Sequence, residues 1–350
     1  MKLAAITTLF LSFVPFVRAQ DAKDAAPAGP APELARLERL IGNYTGKGTA
    51  VMEPGKAPAE WTCQSTYAWT LGKHFVAVET AVDFGSAIPP LAFRELLGWD
   101  GEAKRYVAIS IGNTGEGSLG EVTFPSAERM VMIVSKKDAN GPAVERHETT
   151  FTKDGMQFRM TILGSTGAAI EGVTGSFTRV DKQEPLAIEA TAAMAPPAPP
   201  LAKMHRLAGT YEFAGEVILM PGTPAMKIRG TDFCRPIFGG AALQISTTGN
   251  ADGSPDAYAA ETFVVWNEGK QCFDAFGADN MGQVGAMEQR FSDDGKIVAT
   301  GAACFMGQPM VQRMLIELDA AGKMTKATST TLSGASEPYR SFQGTYKLGK

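Results

Sequence analysis

Residues Leu34 to Gly55 (LARLERLIGNYTGKGTAVMEPG) and Leu201 to Gly222 (LAKMHRLAGTYEFAGEVILMPG) align without a gap, so the chain carries one unit twice. The offset is 167 positions and holds far beyond that window. It pairs Gly42 with Gly209, Tyr44 with Tyr211, Gly72 with Gly239 and Trp99 with Trp266. It also pairs Asn113 with Asn280, Gly115 with Gly282, Arg146 with Arg313 and Gly155 with Gly322. Near the end a two-residue slip pairs Gly175 with Gly344 and Phe177 with Tyr346. A period this long is no solenoid repeat, so each unit is a domain. A length of 350 residues agrees, being more than one core ordinarily serves.

Each unit opens with a short helix signal. Pro32-Glu33 and Pro200 sit where a missing N–H is harmless. Leu34, Leu37 and Leu40 then recur on one face, as do Leu201, Met204 and Leu207, before Gly42 and Gly209 end the helix. The remainder reads as strands. Tyr44, Gly46, Gly48, Ala50 and Met52 alternate with polar or exposed partners; Tyr211, Phe213, Gly215, Val217 and Leu219 do the same in unit two. Nine turn signals follow in unit two: Pro221-Gly222, Gly239-Gly240, Asp252-Gly253, Asn267 to Gly269, Asp279 to Gly282, Asp294-Gly295, Gly307 to Pro309, Gly322 and Gly334. This spacing predicts an all-β, up-and-down antiparallel meander of about ten strands per unit. Closure into a barrel removes the exposed edges, so two tandem barrels are expected, each preceded by a short N-terminal helix. An open β-sandwich is the alternative.

The boundaries follow from punctuation. Residues 1–19 read as a secretory signal: Lys2, an apolar run from Leu3 to Val17, and cleavage after Ala19. Residues 20–32 form a Pro/Ala-rich linker, 33–180 the first barrel, 181–200 a Pro-rich linker and 201–350 the second barrel. Proline-rich segments stay extended, which predicts two semi-rigidly spaced domains. Pro15 and Arg18 break the first apolar run, and no later one is long enough to span a bilayer. The expectation is a secreted or periplasmic protein. A net charge of −4 without a basic block excludes nucleic acid as a natural partner.

At this point the residues resemble a known group. Gly42-Asn-Tyr44-Thr-Gly46-Lys-Gly48, after a short helix, resembles the G-x-W-x-G-x-G opening strand of the calycins, which include lipocalins, fatty-acid-binding proteins and nitrobindins. More closely, both units resemble a bacterial calycin-like family, domain of unknown function 1579. The matching positions in unit one are Gly42/Tyr44, Pro54-Gly55, Gly72/Phe75, Gly98 to Gly101, Gly112 to Gly115 and Phe177 to Arg179. In unit two they are Gly209/Tyr211, Pro221-Gly222, Gly239, Trp266-Asn267, Asp279 to Gly282 and Tyr346-Lys347. Tyr replaces Trp in both opening strands, Gly112 replaces an Asp, and Lys347 replaces the closing Arg. The resemblance implies a barrel and no particular activity.

Candidate ligand-binding residues are few. Tyr44 and Tyr211 would plug the barrel base. Asn113, Asp279 and Asn280 lie at turns, where they serve turn chemistry or a polar contact at the barrel mouth. Arg146 and Arg313 occupy equivalent strand positions; turned inward, either could bind a ligand carboxylate as the fatty-acid-binding resemblance allows. Met314, Ile316 and Leu318, of opposite parity, look like the inward set. The three His (His74, His147, His205) share no unit position, which argues against zinc or haem, and no cofactor or metal is expected. Of the four Cys, Cys234 and Cys272 fall at the same barrel end and are the expected disulfide if one forms. No catalytic constellation stands out. Two functions lead: binding a small hydrophobic ligand in a barrel interior, or a non-enzymatic structural or interaction module with a cell-envelope protein partner; an enzyme acting on an exported small molecule is third and needs a polar cluster inside the barrel. Small inward residues in unit one (Gly46, Ala50) against larger ones in unit two (Phe213, Val217) predict the more open interior in unit one.

Overall fold

The computed structural model describes residues 30–349 apart from 52–54, 87, 139–140, 165–168, 187, 219, 253–256, 306–307 and 335. The expected signal segment lies outside the described residues. The first unit contains β1 (Gly42–Ala50), β2 (Ala59–Thr70), β3 (Phe75–Asp83), β4 (Leu91–Asp100), β5 (Arg105–Gly112), β6 (Gly117–Ser126), β7 (Arg129–Asp138), β8 (Gly141–Phe151), β9 (Gly155–Leu163) and β10 (Ala169–Val180). The second contains β11 (Gly209–Val217), β12 (Met226–Ile237), β13 (Ala242–Ala251), β14 (Tyr258–Asn267), β15 (Cys272–Asp279), β16 (Val284–Phe291), β17 (Ile297–Phe305), β18 (Gln308–Leu318), β19 (Met324–Ser333) and β20 (Ser336–Leu348). Each set of ten pairs in chain order and closes on itself, β1 against β10 and β11 against β20. Two closed antiparallel barrels result, and the turn signals of unit two that lie among the described residues fall at the ends of its strands or between them.

The closing seam explains the slip near the end of the repeat. Gly48 pairs with Gly175 and Gly215 with Gly344. A Cβ on Gly48 would lie 2.0 Å from the Thr174 carbonyl oxygen, and one on Gly215 would lie 2.3 Å from that of Gln343. Only glycine lets the strands approach this closely where the sheet bends shut.

One end of each barrel is capped. Residues Pro32–Leu40 form a 3₁₀ helix with Leu34, Leu37 and Leu40 buried. A spacing of three suits a helix with three residues per turn. In unit two the cap is α1 (Pro199–Met204) followed by one 3₁₀ turn, burying Leu201, Met204 and Leu207. The Tyr44 hydroxyl donates to the Leu40 carbonyl at 3.0 Å, and Tyr211 donates to Leu207 at 2.8 Å. The duplicated tyrosine thus ties each cap to its first strand. Arg179 adds bonds to the Ile41 and Arg39 carbonyls (2.7 and 2.8 Å). In unit two, where Leu348 takes that arginine's place opposite Tyr211, Lys323 Nζ reaches the Ala208 carbonyl at 2.7 Å instead.

The expected spacing of the two domains is corrected by the structure. The outer face of β3–β5 (Phe75, Leu96, Val107, Ile109, Ile111) shares one core with Phe238, Phe263, Val265, Phe276 and Val284 of the second barrel. The linker joins this core rather than holding the barrels apart. Ile188 is buried in it, and Asn113 bonds the linker through the Ala192 carbonyl and the Met194 N–H, both at 2.9 Å. The physical reason lies between the prolines: Leu186, Ile188 and Ala193 give the segment an apolar face.

The contacts across this interface repeat with pseudo-twofold symmetry. A Cβ on Gly115 would lie 3.8 Å from the Ala241 carbonyl; one on Gly282 would lie 3.2 Å from His74 Nδ1. Gly282 and Ala241 are the repeat equivalents of Gly115 and His74, so each contact is the other with the units exchanged. Arg94 Nη2 and Glu261 Oε2 approach to 3.9 Å, and these two are equivalents of each other, marking the axis. The open end of each barrel therefore lies beside the capped end of its neighbour. No helix among the described residues is long and apolar enough to cross a membrane.

Candidate ligand site in the first barrel

Strand parity decides what each barrel encloses. From Tyr44 in β1 the register runs to Ser65, then Thr80, Phe93 and Gly112. One level along, Tyr67 leads to Val78, Glu95, Ser110 and Ser118. Across the barrel, Met132 pairs with His147 and Met160, and Val134 with Glu145 and Ile162. These side chains share the lumen of the first barrel.

Comparison of matched levels shows that the lining of this lumen is more accessible than that of the other. Glu145, His147, Phe158, Met160 and Val173 are half-buried in unit one. The residues at the same strand levels of unit two, Gln312, Met314, Ala327, Ser329 and Phe342, are buried. Gln312, Thr331 and Ser341 hydrogen-bond one another inside the second barrel, and Asp232 accepts from Thr247 at 2.7 Å.

The polar groups of the first lumen form one cluster. His147 Nε2 lies 3.2 Å from Glu145 Oε2, with side-chain exposures of 19% and 13%. Burial raises the Glu95 carboxyl above the ordinary carboxylate range, opposed in part by the His147 charge and a hydrogen bond from Ser110. Burial also raises the Tyr67 phenol, and the neighbouring Glu95 raises it further. Ser65 and Thr80 bond at 2.9 Å. The Cys63 thiol, also lumen-facing, is pushed up to about 11 by burial and is no ready nucleophile.

An aromatic wall faces this cluster. Trp61 and Phe177 have ring centroids 5.9 Å apart, Phe177 and Phe158 6.3 Å, and Phe158 and His147 5.8 Å. Arg179 has inward parity at the base, bonded to the cap and to the Tyr44 hydroxyl, and Lys136 on β7, opposite Ala143, shares the parity of Met132 and Val134.

The residues singled out from sequence fall elsewhere. Tyr44 and Tyr211 hold the caps. Asn113 accepts from the Ala92 N–H (3.0 Å) and donates to the Pro90 carbonyl (2.9 Å). Asn280 accepts from the Ala259 N–H (3.1 Å) and donates to the Ala257 carbonyl (2.7 Å). Asp279 accepts from the Met281 and Gln283 N–H groups at 2.9 and 3.0 Å, and burial pushes its carboxyl up to about 7. All three brace turns. The inward orientation considered for Arg146 and Arg313 is corrected: both are on the outer face, Arg146 pairing with Glu148 at 2.5 Å and Arg313 exposed.

The expected disulfide is corrected as well. Cys234 and Cys272 are both free thiols. They share a barrel end, but β12 and β15 are separated by β13 and β14. Three strand spacings of ~4.8 Å far exceed disulfide reach. Cys234 also faces the lumen, whereas Cys272 faces outward beside Asp274 and Glu288. That trio could offer ligand atoms to a metal, yet Lys270 Nζ already sits 2.9 Å from Asp274 and 3.3 Å from Glu288.

Sequence reasoning missed Glu95, Glu145 and His147. The signal was present: His147 aligns with Met314, which the parity argument had already turned inward.

Residues 29–179 match the family model described as Protein of unknown function (DUF1579). A comparison with the curated proteins finds no match. Among solved structures, Rv2717c from M. tuberculosis aligns at 14% identity and TM-score 0.34, covering 43% of this chain and 99% of its own. A protein of unknown function of the DUF3598 family, from Nostoc punctiforme, aligns at 8% identity and TM-score 0.27, covering 91% of this chain and 100% of its own. With its first half matched by that family model and both halves closed as ten-stranded barrels, the chain is a calycin-like tandem barrel resembling the DUF1579 family.

Proposed function

We propose that the first barrel holds a small, largely apolar molecule in its lumen. The observation that carries this is the contrast at matched levels, where half-buried residues in unit one face buried ones in unit two. An accessible, mostly apolar interior with a few convergent polar groups is the usual form of a small-molecule site. The second barrel then serves as a filled scaffold. Nile red, an uncharged fluorescent probe, tests the reading. Saturable binding with one site per chain is expected, abolished by Ser110→Phe, which fills the lumen, and unchanged by Arg313→Ala on the outer face. Absence of saturable binding, or binding indifferent to S110F, overturns it.

The same reading places the working protein outside the cytoplasm, after removal of the first 19 residues. Intact mass of the protein from its native host should give a chain beginning at Gln20. A full-length chain beginning at Met1 refutes export by cleavage.

A further inference from the structure

We propose that the molecule held in the first barrel is an uncharged carbonyl compound, its oxygen accepting the Trp61 indole N–H and its apolar body lying on Phe158 and Phe177. This rests on the lumen-binding reading and adds the ligand's chemical class.

Trp61 is 5% exposed, and its indole N–H is buried without an acceptor among the described residues. An indole nitrogen only donates, so no tautomer relieves it. A buried donor left unpaired is costly, and native structures pair nearly all such groups. Two other indoles of this chain are paired: Trp69 donates to Glu38 at 2.9 Å and Trp266 to Glu268 at 2.6 Å.

The fold does not call for an indole at this position. Trp61 lies opposite Gly48 at the closing seam, and the residue opposite the matching Gly215 is Ile228, which is buried. In the first barrel the seam is cut to seat the ring. A Cβ on Gly175 would lie 2.3 Å from Trp61 Cζ2, and one on Gly48 would lie 2.7 Å from the same atom. Both glycines have lumen parity, so this edge of the indole lies over the inner side of the seam. The neighbouring inward positions differ as well. Phe158 is matched by Ala327, and the half-buried Val173 by the buried Phe342. The spare donor therefore occurs in the barrel whose lining is accessible and is absent from the same place in its twin.

The surroundings of the donor select the acceptor. Ala50, Cys63, Val82, Phe84, Val173 and Phe177 pack around Trp61. A carboxylate would bring a full charge into this apolar cluster, and an alcohol would bring an O–H needing a partner of its own. A ketone or ester oxygen accepts and adds no donor. Val82, Phe84, Val173 and Phe177 are half-buried, so a ligand reaches the N–H by displacing side chains that already border accessible space. Phe158 and Phe177, with ring centroids 6.3 Å apart, offer apolar surface to the rest of the molecule.

A series of similar size tests the class on the full chain at pH 7: 4-phenyl-2-butanone, 4-phenyl-2-butanol, 3-phenylpropanoate and butylbenzene. Affinities are read by displacement of Nile red, whose own affinity is measured in each variant. The ketone should bind tightest of the three oxygen compounds. Trp61→Phe, which keeps a ring and removes the N–H, should weaken the ketone about tenfold while leaving butylbenzene within about threefold. In nitrogen–proton correlation spectra the indole signal absent from W61F should move downfield with the ketone and stay in place with butylbenzene. Should W61F fail to fold, Trp69→Phe, Trp99→Phe and Trp266→Phe assign the Trp61 signal by elimination, and the wild-type titration decides. Alcohol or carboxylate binding as tightly as the ketone overturns the proposal. So does a ketone affinity indifferent to W61F, or a Trp61 signal that the ketone leaves unmoved. If Nile red binds saturably but the ketone does not displace it, the ligand class is wrong and the lumen reading stands. If Nile red itself fails to bind, the lumen reading falls and this proposal with it.

Discussion

Asp232 shows what filling a barrel does to a charge. It is 3% exposed, and it accepts a hydrogen bond from the Thr247 hydroxyl at 2.7 Å. Burial pushes its carboxyl from 3.8 up to about 6. The folded state therefore holds the proton more tightly than the unfolded chain does. The stabilisation is complete below about pH 4 and is lost as pH rises to about 6. A shift of about two units corresponds to about 3 kcal/mol. Asp232→Asn should match the wild type in melting temperature near pH 4 and exceed it above pH 6. Equal melting temperatures across that range would show that the carboxyl is not desolvated. At this scale parity was legible and occupancy was not. The alternation around Met314 already placed Arg313 outside, but nothing local shows whether Glu145 and His147 face a packed interior or an open one. That depends on residues three and four strands away.

At the scale of elements, duplicated residues mark duplicated contacts. Tyr211→Phe deletes the hydroxyl bond to the cap and should lower stability by about 1 kcal/mol in urea unfolding; Tyr44→Phe also deletes the bond accepted from Arg179 and should cost more. A larger loss awaits Gly48→Ala, since its Cβ would collide with the Thr174 carbonyl oxygen at 2.0 Å. A neutral G48A variant would mean that the seam is looser than its register implies. The strands and turns were readable because Gly, Pro, Asn and Asp punctuate them locally. The first cap kept its predicted place but took 3₁₀ geometry, in keeping with leucines spaced by three. The disulfide was not readable for a different reason. Two cysteines at one end of a meander can still be three spacings apart around the circumference and on opposite sides of the wall.

At the scale of the molecule, the barrels meet through a shared apolar core that includes the linker. Composition alone suggested a spacer, because proline content hid the buried face of Leu186, Ile188 and Ala193. At the pseudo-twofold axis, Arg94 faces Glu261 and also approaches Glu79 at 3.8 Å. Arg94→Glu should lower the melting temperature by placing carboxylates together, and adding Glu261→Arg should recover part of the loss. No recovery in the double variant would show that the pair does not couple across the interface.

The opposed charges at that axis have a consequence for how the two copies evolve. Identical subunits related by a twofold must present the same residue to each other at the axis. A covalent tether replaces encounter by reach, so partnership no longer depends on concentration. It also releases each copy from matching its twin: one half can harden into ballast while the other stays free to change its cargo.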